Sequence, residues 1–217
     1  MRLNWQSTAH HFPNVGLIIA AILVTILFSG CASNKPPPAN AQDNICDIMQ
    51  HDRHWYLAAK KAEKRWGTPV ATLKAFIHQE SRFVHNARPP REYALGFIPM
   101  PRRSSAYGFA QAQNPAWHDY QKATRNYSAR RDNKYDALDF IGWYNSVSNR
   151  RNGISLNDPY NLYLAYHEGH GGFSRKTYNQ KPWLKNVANK VRNQSLRYQN
   201  QLKNCQMPTG LCLWPFC

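Results

Sequence analysis

Four prolines, Pro69, Pro115, Pro159 and Pro182, stand at the head of segments whose apolar residues return every three or four positions. Proline breaks a helix from within, but its fixed φ suits the first turn. Thr68, Asn114 and Asp158 precede three of these prolines, and all are side chains that cap helix starts. This punctuation confines the chain to stacked helices. Trp55, Ala58, Ala59, Ala62 and Trp66 form one stripe, closed by Gly67. Val70, Leu73, Phe76 and Ile77 form the next, with Lys74, His78, Ser81 and His85 expected on its other side. Asp132 to Val147 reads as a helix with Tyr135, Leu138, Ile141 and Tyr144 on one face. Asp158-Pro159 opens a short aromatic helix that Gly169 should stop. Leu184, Val187, Val191, Tyr198, Leu202 and Cys205 share one side of a long final helix. No run alternates as a half-buried strand would. The expected fold class is therefore all-α, a bundle of about five to seven helices. The one interruption, RPPREYALGFIPMPRRSS from Arg88 to Ser105, should be an irregular basic loop.

The first thirty residues differ in kind. Val15 to Phe28 is a charge-free apolar run, shorter than the ~20 residues of a membrane span and matching the core of a secretory signal. It ends in Leu27-Phe28-Ser29-Gly30-Cys31, which resembles a bacterial lipobox, with Cys31 as the lipidated mature terminus; an uncleaved N-terminal anchor is the alternative. Residues 1–30 are thus expected to be a lipoprotein signal peptide, 31–44 a proline-rich linker, 45–205 the helical domain and 206–217 a cysteine-containing tail. Export brings an oxidising compartment, where disulfides persist. Cys46, Cys205, Cys212 and Cys217 allow three pairings. Cys46–Cys205 is favoured because it ties the ends of the domain, and Cys212–Cys217 because Pro215 can bend the chain between them.

Lys and Arg total 28 against 12 Asp and Glu, a net charge of +16. So positive a field attracts polyanions: nucleic acid, anionic lipid or an anionic cell wall. The export signal argues against nucleic acid.

Continuing the stripe of Val70 to Ile77 brings Glu80, Phe83 and Val84 to the interior face. A carboxylate there is costly unless paired or protonated, and burial raises its pKa. Two explanations stand: a buried ion pair with Arg82 or Arg88, or a functional acid.

Glu80-Ser81-Arg82-Phe83, Gly108-Phe109-Ala110-Gln111 and Ala165-Tyr166-His167-Glu168-Gly169 follow one another along the chain. In this order they resemble the motifs of the lysozyme-like lytic transglycosylases of the soluble-transglycosylase (SLT) type: Glu-Ser-x-Phe, Gly-Leu-Met-Gln and Ala-Tyr-Asn-x-Gly. The resemblance spans roughly residues 50–200 and implies a lysozyme-like helical domain of SLT or goose-lysozyme type. It implies Glu80 as the single catalytic acid and base, and Ser81, Gln111 and Tyr166 at the sugar cleft, with Tyr166 close enough to orient Glu80. Tyr107 and His167 adjoin these motifs and are counted with the substrate-binding residues. Cleavage of the β-1,4 bond between N-acetylmuramic acid and N-acetylglucosamine, closing a 1,6-anhydro ring, is the implied reaction.

The departures are informative. His167 replaces the asparagine, and Glu168 adds a second carboxylate that could activate water if it faced the cleft. His167 and His170 stand three apart, whereas a zinc-protease helix needs them four apart, and glycines interrupt the helix. No metal or other cofactor is expected. Peptidoglycan is the expected partner, with membrane attachment through Cys31 in the periplasm, the outer membrane favoured, and cell-envelope or secretion-system assemblies as further partners. Two rival functions remain: a goose-type muramidase that hydrolyses, and a lipoprotein that binds the wall without cutting it.

Overall fold

The structure, a computed structural model, describes residues 35–205. Among them are a 3-10 turn at Ala39–Ala41 and seven α-helices: α1 Ile45–His51, α2 His54–Trp66, α3 Val70–Ser81, α4 Asn114–Thr124, α5 Lys134–Asn152, α6 Pro159–Ser174 and α7 Pro182–Leu202. The all-α expectation holds. The signal, Cys31 and the Cys212–Cys217 pairing lie outside the described residues.

The helix starts follow the sequence logic with two exceptions, Thr68 and Asn114, the latter being the first residue of α4 and not its cap. Asn133 Oδ1 accepts the N–H groups of Tyr135 and Asp136 at 2.9 and 3.3 Å to open α5. Asp158 caps α6 by accepting from Asn161 N–H at 3.1 Å, with Pro159 in the first turn. Thr68 does not cap α3. Its hydroxyl is buried without a partner, and Glu63 of α2 accepts the Val70 N–H at 3.0 Å instead. Gly67 ends α2 at φ 83° as expected. Gly169 bends α6 without stopping it: at φ 73° and ψ 158° it makes a kink, and the helix resumes to Ser174. The segment expected to be irregular contains a short antiparallel hairpin, β1 (Tyr93–Ala94) on β2 (Ile98–Pro99), turned through Leu95 and Gly96 in the left-handed region.

Helix α3 is the axis of the domain, packed by α2, α5 and α7. Ten of its twelve residues are buried, including Lys74, His78 and Ser81, which the periodicity had turned outward. A stripe describes a helix with one wet side; α3 has none. The wall around it is aromatic. Phe76 meets Tyr163 and Tyr166 of α6, each at 5.3 Å between ring centres. Asp139 of α5 links three helices by accepting from Arg65 (2.9 Å), Trp66 Nε1 (2.8 Å) and Tyr120 hydroxyl (2.8 Å).

The ends of the domain are joined. Cys46 and Cys205 form a disulfide across 159 residues, as the spacing suggested. Gln201 on α7 reinforces it, accepting from Ile45 N–H at 3.0 Å and donating to Asp43 carbonyl at 3.1 Å.

Lys74 is fully buried, with Nζ 4.4 Å from the Trp55 ring centre and 4.7 Å from that of Phe83, and without a hydrogen-bond partner. Burial holds its pKa well below the lysine range, against the charge of Asp52 and together with that of Lys134. A depressed lysine costs no stability above its unfolded pKa of ~10.4 and an increasing amount as pH falls below it. Lys74→Met, which keeps volume and removes the amine, is expected to stabilise the domain at pH 7 by about 1–3 kcal/mol. The gain should shrink toward pH 11. Urea unfolding at the two pH values checks this.

Candidate active site

Glu80 lies in the last turn of α3, beside the Tyr-rich face of α6. The residue keeps partial exposure, yet protein surrounds its carboxyl, and this burial pushes its pKa up to about 7. Tyr163 hydrogen-bonds to the carboxyl and acts in the opposite direction. Among the described residues no cation pairs with Glu80. Arg82 is engaged elsewhere, its guanidinium 2.6 Å from His78 Nε2, and Arg88 lies over the Tyr107 ring at 4.6 Å. The ion-pair explanation of Glu80 therefore does not hold in this structure.

Tyr163 and Tyr166 both stand close to Glu80, and Tyr163 is the one that favours its carboxylate. The Tyr166 hydroxyl donates to Ala110 carbonyl at 2.5 Å and so joins α6 to the Gly108–Gln111 turn. Tyr166 is near enough to feel Glu80, since burial and then the charge of Glu80 raise its pKa. One signal for Tyr163 was available: it stands three residues before Tyr166, one helical turn away on the same side.

The turn at 108–111 is a tightly built wall. Gly108 has φ 78°, and a Cβ there would sit 2.1 Å from Arg131 carbonyl, so only glycine fits. Its N–H donates to Ala87 carbonyl at 2.9 Å, and Phe109 N–H to Arg131 carbonyl at 3.1 Å. Gln111, at φ 47°, donates its amide to the carbonyls of Ala87 (2.9 Å) and Gly108 (2.8 Å).

A cavity of about 300 Å3 opens against this wall, bounded by Gln111, Ala112, Phe140, Tyr144, Tyr166 and His167 among others. Apolar rings with a few polar groups are the lining that a sugar needs. Glu80 does not itself line the cavity. It is coupled to it through Tyr166, which forms part of the wall and senses the carboxyl.

The remaining expected site residues divide. Gln111, Tyr166 and His167 meet at the cavity. Ser81 does not: it is buried, and its hydroxyl donates back to Ile77 carbonyl at 3.3 Å. Tyr107 turns to a separate cavity, between the guanidinium groups of Arg88 and Arg131. His167 and His170 are not a ligand pair. The His167 ring meets Trp183 edge-on at 5.1 Å, whereas His170 stacks on Tyr144 at 4.3 Å. No group of three or more His, Cys, Asp or Glu is placed to hold a metal among the described residues.

Glu168 borders the cavity, but its carboxylate is tied down. Burial acts to raise its pKa, and hydrogen bonds from Lys181 (2.7 Å), Thr177 and His167 (3.3 Å) outweigh it, so the net shift is downward. A carboxylate held this way is a weak base.

The sequence matches the Transglycosylase SLT domain over residues 19–205. The chain belongs to this family. The match includes all seven described helices and supports lytic transglycosylase-type degradation of peptidoglycan in general. A comparison with curated proteins finds no match.

The raised pKa of Glu80 carries a sign for stability. The folded state favours the protonated acid, so this contribution is full below about pH 4.5 and is lost as pH rises through about 7. Glu80→Gln, which is neutral throughout, should flatten the dependence. Between pH 5 and 8.5 the wild type is expected to lose up to about 3 kcal/mol more than the variant, as read from urea midpoints.

Proposed function

We propose that this SLT domain cleaves the β-1,4 bond between N-acetylmuramic acid and N-acetylglucosamine, with Glu80 as the only acid and base. The observation that carries the reading is a carboxyl enclosed by protein beside Tyr163 and Tyr166, unpaired with any cation among the described residues, whose burial pushes its pKa up to about 7. A general acid is most effective when it is still protonated near the working pH. Glu80 protonates the glycosidic oxygen, and the C–O bond to the leaving sugar breaks. The N-acetyl group of the substrate stabilises the oxocarbenium-like centre. Glu80, now a carboxylate, takes the proton of the C6 hydroxyl as that oxygen closes the 1,6-anhydro ring. Two-carboxylate glycosidases divide these tasks. The lowered pKa of Glu168, tied to Lys181, makes it a poor base for activating water, which favours ring closure over hydrolysis.

The apolar run at 15–28 and Cys31 support a lipid-anchored periplasmic protein, on the outer membrane in this reading, whose linker carries the domain to the wall. The net positive charge suits a surface rich in carboxylates.

Mass spectrometry of the fragments released from sacculi tests the reaction. Anhydro-muramic ends are expected; reducing ends alone would identify a muramidase. Glu80→Gln should lower release at least 1000-fold while sacculus binding persists; equal loss of both, or undiminished release, would remove Glu80 from its role. The rate should fall along one proton limb above about pH 7. Tyr163→Phe removes a hydrogen bond that favours the carboxylate, so the limb should move to higher pH.

A further inference from the structure

A second cavity, of about 320 Å3, is lined by Arg88, Arg102, Arg131, Tyr107 and the segment Ser104–Ala106, with Asn114 closing it. Its wall includes three guanidinium groups and no carboxylate. The nearest acids in sequence are occupied: Asp132 with Arg130 at 3.0 Å and Glu92 with Arg103 at 2.5 Å. Like charges gathered without counter-charge repel, and such an arrangement is stabilised by an arriving anion.

The hydrogen bonding shows unused capacity. Arg131 donates one nitrogen to the carbonyls of Ser105 (3.0 Å) and Ala112 (2.9 Å) and lies 5.3 Å from the Tyr107 ring centre. Arg102 donates to Pro89 carbonyl, while its Nε is buried with no partner. Arg88 is held only by the face of Tyr107, at 4.6 Å, and makes no hydrogen bond or ion pair among the described residues. A guanidinium offers paired donors that match a carboxylate edge.

The cavity adjoins the cleft. Residues Ser104–Tyr107 line the basic cavity, and Gln111–Gln113 line the cleft, on one continuous segment. The two arms of that segment are bridged at Tyr107 and Ala112, and Arg131 fastens both. A glycan strand in the cleft carries its peptide substituents on alternate sugars, and these bear free carboxylates.

We propose that the cavity of Arg88, Arg102 and Arg131 binds a carboxylate of the peptide attached to the glycan, making the domain selective for peptide-bearing strands. This rests on the transglycosylase reading. It assigns Arg88 and Arg102 to specificity and leaves bond cleavage to Glu80.

Full-length protein in detergent is offered glycan strands with intact tetrapeptides and the same strands stripped by an amidase. With R88Q/R102Q, kcat/KM on peptide-bearing strands is expected to fall about tenfold, through KM, the size of one lost charge-assisted hydrogen bond. On stripped strands it should stay within about twofold of wild type. Equal loss on both strands, or loss on neither, overturns the proposal. Free tetrapeptide should inhibit the wild type and not the variant; inhibition by glycerol phosphate alone would reassign the cavity to phosphate and overturn the carboxylate. If the wild type cuts neither strand, the enzymatic reading fails separately. The cavity is then decided by calorimetry of tetrapeptide on E80Q protein: binding weakened about tenfold by the added R88Q/R102Q supports it, and no binding overturns it.

Discussion

The enclosure of α3 is the constraint from which the rest follows. A helix wrapped by α2, α5, α7 and the aromatic face of α6 offers no wet side to a charged residue. Two of its ionisable groups respond alike: Lys74 is driven toward the free amine and Glu80 toward the carboxylic acid. One physical effect, loss of water, thus moves two pKa values in opposite directions, each toward neutrality. Glu80 differs in lying in the last turn of the helix, where some exposure remains. A proton donor needs both conditions, dryness to keep the proton and an opening to deliver it.

Much of this was legible in the sequence because periodicity and punctuation are local. Pro115, Pro159 and Pro182 marked real helix starts, Gly67 a real stop, and Cys46 and Cys205 a real bond. What failed to show was decided by partners distant in the chain. Thr68 looked like a cap, but Glu63 from the preceding helix reached the Val70 N–H first. Lys74 and His78 looked solvent-facing because a stripe cannot reveal a second packing layer on the opposite side. The hairpin at 93–99 was hidden by prolines that usually mark irregular chain.

The site divides the same way. The motifs picked out Glu80, Gln111 and Tyr166, which the fold brings to one end of α3. The roles of Tyr163 and Tyr166 rested on a backbone acceptor: Ala110 carbonyl takes the Tyr166 hydroxyl, and Tyr163 is the neighbour that favours the carboxylate of Glu80. Ser81 shows the opposite effect. At the end of a buried helix its hydroxyl satisfies the Ile77 carbonyl, a demand that no motif expresses.

The clasp between Cys46 and Cys205 has a mechanical meaning. With their Cα atoms 5.7 Å apart and joined covalently, tension entering the chain before Cys46 and leaving after Cys205 travels through two sulfur atoms and bypasses every helix between them. A domain loaded in this way cannot be unravelled by stretching while the bond is intact.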